Sequence, residues 1–192
     1  CGGVVGTNAA KLAVGVGANV TIMDRSVPRL RQLDDIFGGS LKTRYSTGAA
    51  IEEVITTADL VVGAVLIPGA AAPRLIRRDQ LSSMRQGSVL CDVAIDQGGC
   101  FETSHATTHE DPVYDIDGVV HYCVANMPGS VPLTSSHALN NVTLPFTMAL
   151  ADKGVKALDD NDHLMNGLNV RGGKITHPAV IDALGDSPRL SA

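Results

Sequence analysis

The stretch Cys1-Gly2-Gly3-Val4-Val5-Gly6-Thr7-Asn8-Ala9-Ala10 decides the fold, together with Asp24, which follows at the end of the next apolar run. Its spacing is that of the dinucleotide fingerprint G-x-G-x-x-G, with Cys1 where the first glycine belongs. Each remaining glycine has a physical reason: at Gly3 the backbone must approach a pyrophosphate, and at Gly6 a helix must pack closely on a strand. The N–H groups at the start of the following helix are available to an anion. A glycine-rich turn ahead of a helix is common by itself, so the second element decides. Asp24, roughly twenty residues on, is placed to accept hydrogen bonds from ribose hydroxyls. A carboxylate there repels the 2′-phosphate of NADP, which makes NAD the expected cofactor. Arg25 beside it reads either as partial compensation or as a solvated surface charge.

Working outward, small and apolar residues at helical spacing predict a helix over 7–17, then a β-branched strand over 19–23 and an amphipathic helix over 27–37. The step repeats with a short strand at 43–45, a helix at 49–56 and a buried strand at 59–66, closed by Pro68-Gly69. A helix around 79–84 and strands at 88–94 and 119–124 follow. This alternation is that of an α/β protein with a Rossmann-like, doubly wound parallel sheet. In such a sheet the strand leading into the glycine-rich turn is central. With none ahead of Cys1, the sheet reads as truncated at its N-terminus.

Beyond Pro132 the composition changes to a long Ala- and Leu-containing stretch ending at Lys153. A polar linker, a hairpin around Gly172-Gly173 and a short helix near Val180 come next. The expected boundary lies near Gly129, with a nucleotide domain over 1–129 and a C-terminal helical segment over 130–192.

With 15 basic against 20 acidic residues and 3% aromatics, the chain has neither a phosphate-tracking stripe nor a base-stacking platform, so nucleic acid is not an expected partner. Its apolar runs are too short and too broken by Gly63 and Pro68 to span a membrane. Cys1, Cys91, Cys100 and Cys123 show no CxxC pairing and no leader precedes them, so reduced thiols in a cytoplasmic setting are expected. His105 and His109 are four apart, but Thr107, Thr108 and Pro112 make the stretch a loop, and no metal site is expected.

The second informative segment is Asp92-Val93-Ala94-Ile95-Asp96-Gln97-Gly98-Gly99-Cys100-Phe101-Glu102. It places Asp96 just past the carboxyl end of a strand, where open α/β sheets bind ligands. Burying an unpaired carboxylate is costly, so at least one of Asp92 and Asp96 should face the crevice, and Asp96 is the better candidate. The alternative is an Asx-type turn in which Asp96 bonds its own backbone.

Three strings, residues 3–10, 92–103 (DVAIDQGGCFET) and 122–132 (YCVANMPGSVP), together resemble the alanine dehydrogenases, over about residues 1 to 153. They look unlike the corresponding stretches of the transhydrogenase α subunit, which shares the architecture. The resemblance implies an NAD-binding domain followed by a C-terminal segment that returns to a substrate domain not contained in these residues. It places Gly3, Val4 and Gly6 under the pyrophosphate, Asp24 on the adenosine ribose, and Arg29 and Ser46 on the adenosine side. Val65, Leu66, Val93, Ala94 and Ile95 would line the nicotinamide end, with Val124, Ala125, Asn126 and Met127 walling its pocket.

Asp96 matches the family's active-site aspartate. His105 stands where the family usually has an Arg contacting the cofactor. The implied reaction is reversible: hydride passes from the α-carbon of L-alanine to nicotinamide, and water attacks the imine to release pyruvate and ammonium. The Arg, Lys and His that handle the substrate belong to the absent domain. Residues 1–192 alone are therefore expected to bind NAD weakly or not at all, and a truncated, catalytically inactive nucleotide-binding module is the alternative reading. The family forms homo-oligomers, commonly hexamers.

Overall fold

The computed structural model describes residues 1–65 and 72–184. They gather into two compact units, the first ending at Met127 and the second beginning at Pro128. Leu66 lies outside the described residues.

The first unit alternates helices and strands: α1 (Val4–Gly15), β1 (Thr21–Asp24), α2 (Val27–Phe37), β2 (Lys42–Tyr45), α3 (Gly48–Ile55), β3 (Leu60–Gly63), β4 (Val89–Asp92), β5 (Val113–Ile116) and β6 (Val119–Tyr122). The helix boundaries have local causes. Ser26 caps α2 by accepting the Arg29 N–H, Pro28 sits in its first turn, and left-handed Gly38 ends it. Thr47 caps α3 by accepting the Ala50 N–H at 3.1 Å. The segment expected as a helix near 79–84 is instead a 3-10 helix, Arg78–Ser83. It is one short stretch between Arg77, whose N–H donates to the Gln80 side chain at 2.8 Å, and an extended Met84.

The strands form two sheets rather than one. β1 pairs in parallel with β2, while β3, β4 and β6 pair in parallel in the order β3-β4-β6-β5. In the doubly wound order the strand leading into the glycine-rich turn lies between the second and fourth strands, which here are β1 and β3. Without it, their facing edges go unpaired among the described strands. The antiparallel edge strand β5 was not expected from sequence. It forms a hairpin with β6 through Asp117-Gly118, both left-handed, with φ of 55° and 81°.

Two apolar clusters hold this unit. One centres on Phe101, Leu90, Ile76, Leu81 and Val119, and the other on Leu33, Ile22, Leu41 and Ala10. Full burial of residues such as Phe101 or Leu90 contributes on the order of 1.5–3 kcal/mol each. Phe101 comes from the segment after β4, so the core itself anchors the loop that carries Asp96.

The second unit contains α4 (Pro132–Lys153), α5 (Asp162–Asn166), the hairpin β7 (Val170–Arg171) and β8 (Lys174–Ile175), and α6 (Pro178–Leu184). Pro145 lies inside α4, where it cannot donate to the carbonyl one turn back. Leu133, Leu139, Val142, Leu144, Met148 and Leu150 of α4 are exposed, and the buried apolar residues described in this unit are Ala157 and Leu158. No helix among the described residues is long and apolar enough to cross a membrane.

Candidate functional site at the carboxyl ends of the strands

Because the strands within each sheet run parallel, apart from β5, the residues following β1, β2, β3, β4 and β6 emerge at the carboxyl ends of their sheets. At β1 this gives Asp24, half-buried, whose carboxylate accepts the N–H groups of Gly2 at 2.8 Å and Ser26 at 2.9 Å. Burial pushes this carboxyl upward, but the hydrogen bonds from Ser26 and Gly2 outweigh it and hold the group below its ordinary value. Two donors leave lone pairs free on both oxygens for a ligand's hydroxyls. Ser46, half-buried just past β2, donates its N–H to the Asp24 carbonyl at 3.0 Å.

The glycine-rich turn is built around close backbone approaches. A Cβ on Gly6 would lie 1.7 Å from the Cys1 carbonyl oxygen, and one on Gly2 would lie 2.5 Å from Leu33 Cδ1. A Cβ on Gly3 would meet nothing within 4 Å, so the turn opens outward there. No described side chain caps the start of α1 and Val4 is 80% exposed, so the first N–H groups of the helix suit an anion. Arg29 does not reach outward. Its Nε donates to the Gly2 carbonyl at 2.6 Å and its Nη2 to Thr7 Oγ1 at 2.9 Å, so it braces the turn from the side of α2. That bracing role was not visible in the sequence, since nothing in spacing links Arg29 to a backbone carbonyl twenty-seven positions back.

Past β3, Val65 is half-buried, and Gly63 touches the opposite loop so closely that a Cβ would sit 2.3 Å from Cys100 Sγ. Past β4, Val93 is half-buried and donates its N–H to the Gly63 carbonyl at 2.8 Å, while Ala94 and Ile95 are buried. Asp96 follows in a 3-10 turn, Ile95–Gln97, and is exposed. The two candidate carboxylates are thereby separated in role. Asp92 is fully buried and accepts from the N–H groups of Ala94, Cys100 and Phe101, from Ser104 Oγ at 2.6 Å and from Cys100 Sγ at 3.3 Å. The Gln97 side-chain oxygen beside Asp96 in sequence is buried and has no hydrogen-bond partner among the described residues.

Past β6, Val124 is buried, Ala125 and Asn126 are exposed, and Met127 is half-buried. Asn126 adopts a left-handed φ of 60° and its carbonyl meets His109 Nε2 at 3.0 Å. His105 stacks on the Tyr114 ring at 3.7 Å, and Tyr114 stacks in turn on buried His121. His105 and His109 thus have separate surroundings, and no group of three or more metal-ligating side chains occurs among the described residues. Burial, first among the causes, pushes the Cys91 thiol up to about 11 and raises Cys100 and Cys123 as well. None of the three is activated as a nucleophile.

This geometry has close counterparts. The family Alanine dehydrogenase/PNT, C-terminal domain matches residues 1–178. The chain is 63% identical over 185 residues to an alanine dehydrogenase from Halomonas elongata, covering 96% of this chain and 50% of that protein. It is 57% identical over 186 residues to the alanine dehydrogenase of Bacillus subtilis, with 96% and 49% covered. A solved L-alanine dehydrogenase superposes with a TM-score of 0.87 at 52% identity, over 97% of this chain and 52% of that one. The chain spans about half the length of the curated relatives it matches. It belongs to the alanine dehydrogenase/PNT C-terminal-domain family, with that family's Rossmann-like fold.

Proposed function

We propose that this chain is the NAD-binding part of an L-alanine dehydrogenase that interconverts L-alanine and pyruvate. The observation that supports this most is the pairing of an open glycine turn at an uncapped helix start with Asp24, a carboxylate bonded to that same turn through Gly2. This cradle suits a dinucleotide, with pyrophosphate over Gly3, Val4 and Gly6 and ribose on Asp24. The orphaned Gln97 oxygen adds an acceptor near the other end of the site.

NAD held in this cradle would supply a nicotinamide as acceptor for the α-hydride of alanine. The residues of this chain hold and orient it. Val65, Val93, Ala94 and Ile95 would give the nicotinamide end an apolar lining, and Val124, Ala125, Asn126 and Met127 would wall its pocket. Asp96, exposed on its turn, offers an acceptor to the substrate's amine and to the water that replaces it. Ser46 and Arg29 serve the adenosine side, Arg29 through its hold on the turn. His105 sits at the rim with its ring fixed by Tyr114.

The first unit is the nucleotide domain in this reading, and the second packs its exposed α4 face into a substrate domain contributed by the remainder of a relative-length protein. Assembly of such proteins as homo-oligomers, hexamers by resemblance, and a cytoplasmic location belong to the same proposal. The test is alanine-dependent NADH formation by the whole polypeptide carrying residues 1–192. D96N should reduce kcat at least about tenfold with the NADH Kd unchanged. Wild-type turnover in D96N removes Asp96 from the chemistry, and no alanine-dependent NADH formation by the unmutated polypeptide leaves only a nucleotide-binding module.

A further inference from the structure

Asp96 is carried on a segment whose next residues, Gly98 and Gly99, are both left-handed, with φ of 86° and 75°. Successive glycines in that region are the loosest backbone a loop can have, so something outside them must define where Asp96 stands. Two side chains hold this segment from opposite sides. Asp92 collects N–H groups from inside, as described above. From outside, Arg74 Nη1 donates to the carbonyls of Gly98 at 2.8 Å, Gly99 at 3.1 Å and Phe101 at 2.7 Å.

The neighbours of Arg74 extend the grip: Ala72 N–H donates to the Gln97 carbonyl at 3.2 Å and Leu75 N–H to the Cys100 carbonyl at 2.6 Å. Three carbonyls converging on one guanidinium nitrogen form an arrangement that no short apolar side chain could replace. Arg74 is itself exposed and forms no ion pair among the described residues, so its charge is directed at the loop backbone alone.

We propose that Arg74 is a positioning residue for Asp96, locking the left-handed glycine turn that aims the Asp96 carboxylate into the site. The inference rests on the reading of Asp96 given above. Its effect passes through geometry, since an ångström of misplacement at a reacting group costs of the order of a hundredfold in rate.

The test is a double-mutant cycle on the whole polypeptide, combining R74M with D96N and reading kcat, the NADH Kd and the melting temperature. R74M alone should lower kcat about tenfold with the NADH Kd within about twofold, and in the D96N background it should change kcat less than about twofold. R74K, which keeps a cation able to reach the carbonyls, should recover most of the rate. Equal losses from R74M in both backgrounds, or a fall in melting temperature with unchanged kcat, would overturn the inference and leave Arg74 a structural staple. Wild-type kcat in D96N would instead overturn the reading of Asp96 itself, and the inference with it.

Discussion

The carboxyl ends of β1 and β4 each carry an aspartate, and the two are used in opposite ways. Asp24 is half-buried with one N–H donor on each oxygen, whereas Asp92 is fully buried with five donors and no lone pair to spare. The difference teaches that position at a strand end does not by itself leave a carboxylate able to take a ligand; it must also keep acceptor capacity unspent, as Asp24 does. At β4 that capacity is moved four residues along, to Asp96, and Asp92 becomes the post around which the loop is wound.

The comparison breaks most directly at Asp92. D92A leaves several buried N–H groups unsatisfied at about 1–3 kcal/mol each, so chemical denaturation should show a loss of at least about 3 kcal/mol. D24A, which strands only two donors, one of them on exposed Ser26, should lose about 1–2 kcal/mol in the same experiment while NADH affinity falls at least about tenfold. Similar stability losses in the two variants would erase the distinction.

A smaller effect is expected at Gly99. There φ is 75° and a Cβ would stand 2.8 Å from both Asp92 Oδ2 and Ser104 Cβ, so G99A should destabilise by about 1–3 kcal/mol. Placing alanine at Gly98, where φ is similar but a Cβ would meet no described residue beyond its chain neighbours within 4 Å, should cost less, which separates crowding against Asp92 from backbone strain.

The smallest effect is a pH dependence from His121. Its Nδ1 faces the Val119 carbonyl at 2.9 Å, so this nitrogen carries the proton and Nε2 accepts from Thr103 Oγ1 at 2.7 Å. Burial, ahead of the opposing Val119 bond and with the nearby His105, lowers its pKa below the ordinary 6.5, despite Asp115 and Asp92. Because the folded value is depressed, the stability from neutral His121 is complete above 6.5 and is lost as pH falls through 6.5 toward the folded pKa. The denaturation midpoint should therefore drop on going from about pH 7 to about pH 5, and less so in H121N. An identical slope in H121N would assign the dependence elsewhere.

Much of the first unit was legible because its signals are local. The periodicity of Leu30 and Leu33 between Ser26 and Gly38 bounds α2 at Val27–Phe37, as expected. The glycine spacing pointed to the turn that Asp24 is bonded to through Gly2. β5 was missed although Asp117-Gly118 between alternating apolar residues is a hairpin signal, because Val113 to Ile116 is a short edge strand with only two residues half-buried. Arg74 and Arg29 were illegible as braces, since their partners are backbone carbonyls distant in sequence and carbonyls leave no compositional trace. The split into two sheets falls between β1 and β3, where the sequence placed the strand leading into the glycine-rich turn.

The central claim, that Asp24 and the glycine turn form a site for NAD rather than NADP, is tested most directly by calorimetric titration of NADH and NADPH into the whole polypeptide. The account predicts that NADH binds and that NADPH binds at least about tenfold more weakly, because the 2′-phosphate meets the Asp24 carboxylate. Equal affinities for the two, or no binding of NADH, would contradict it.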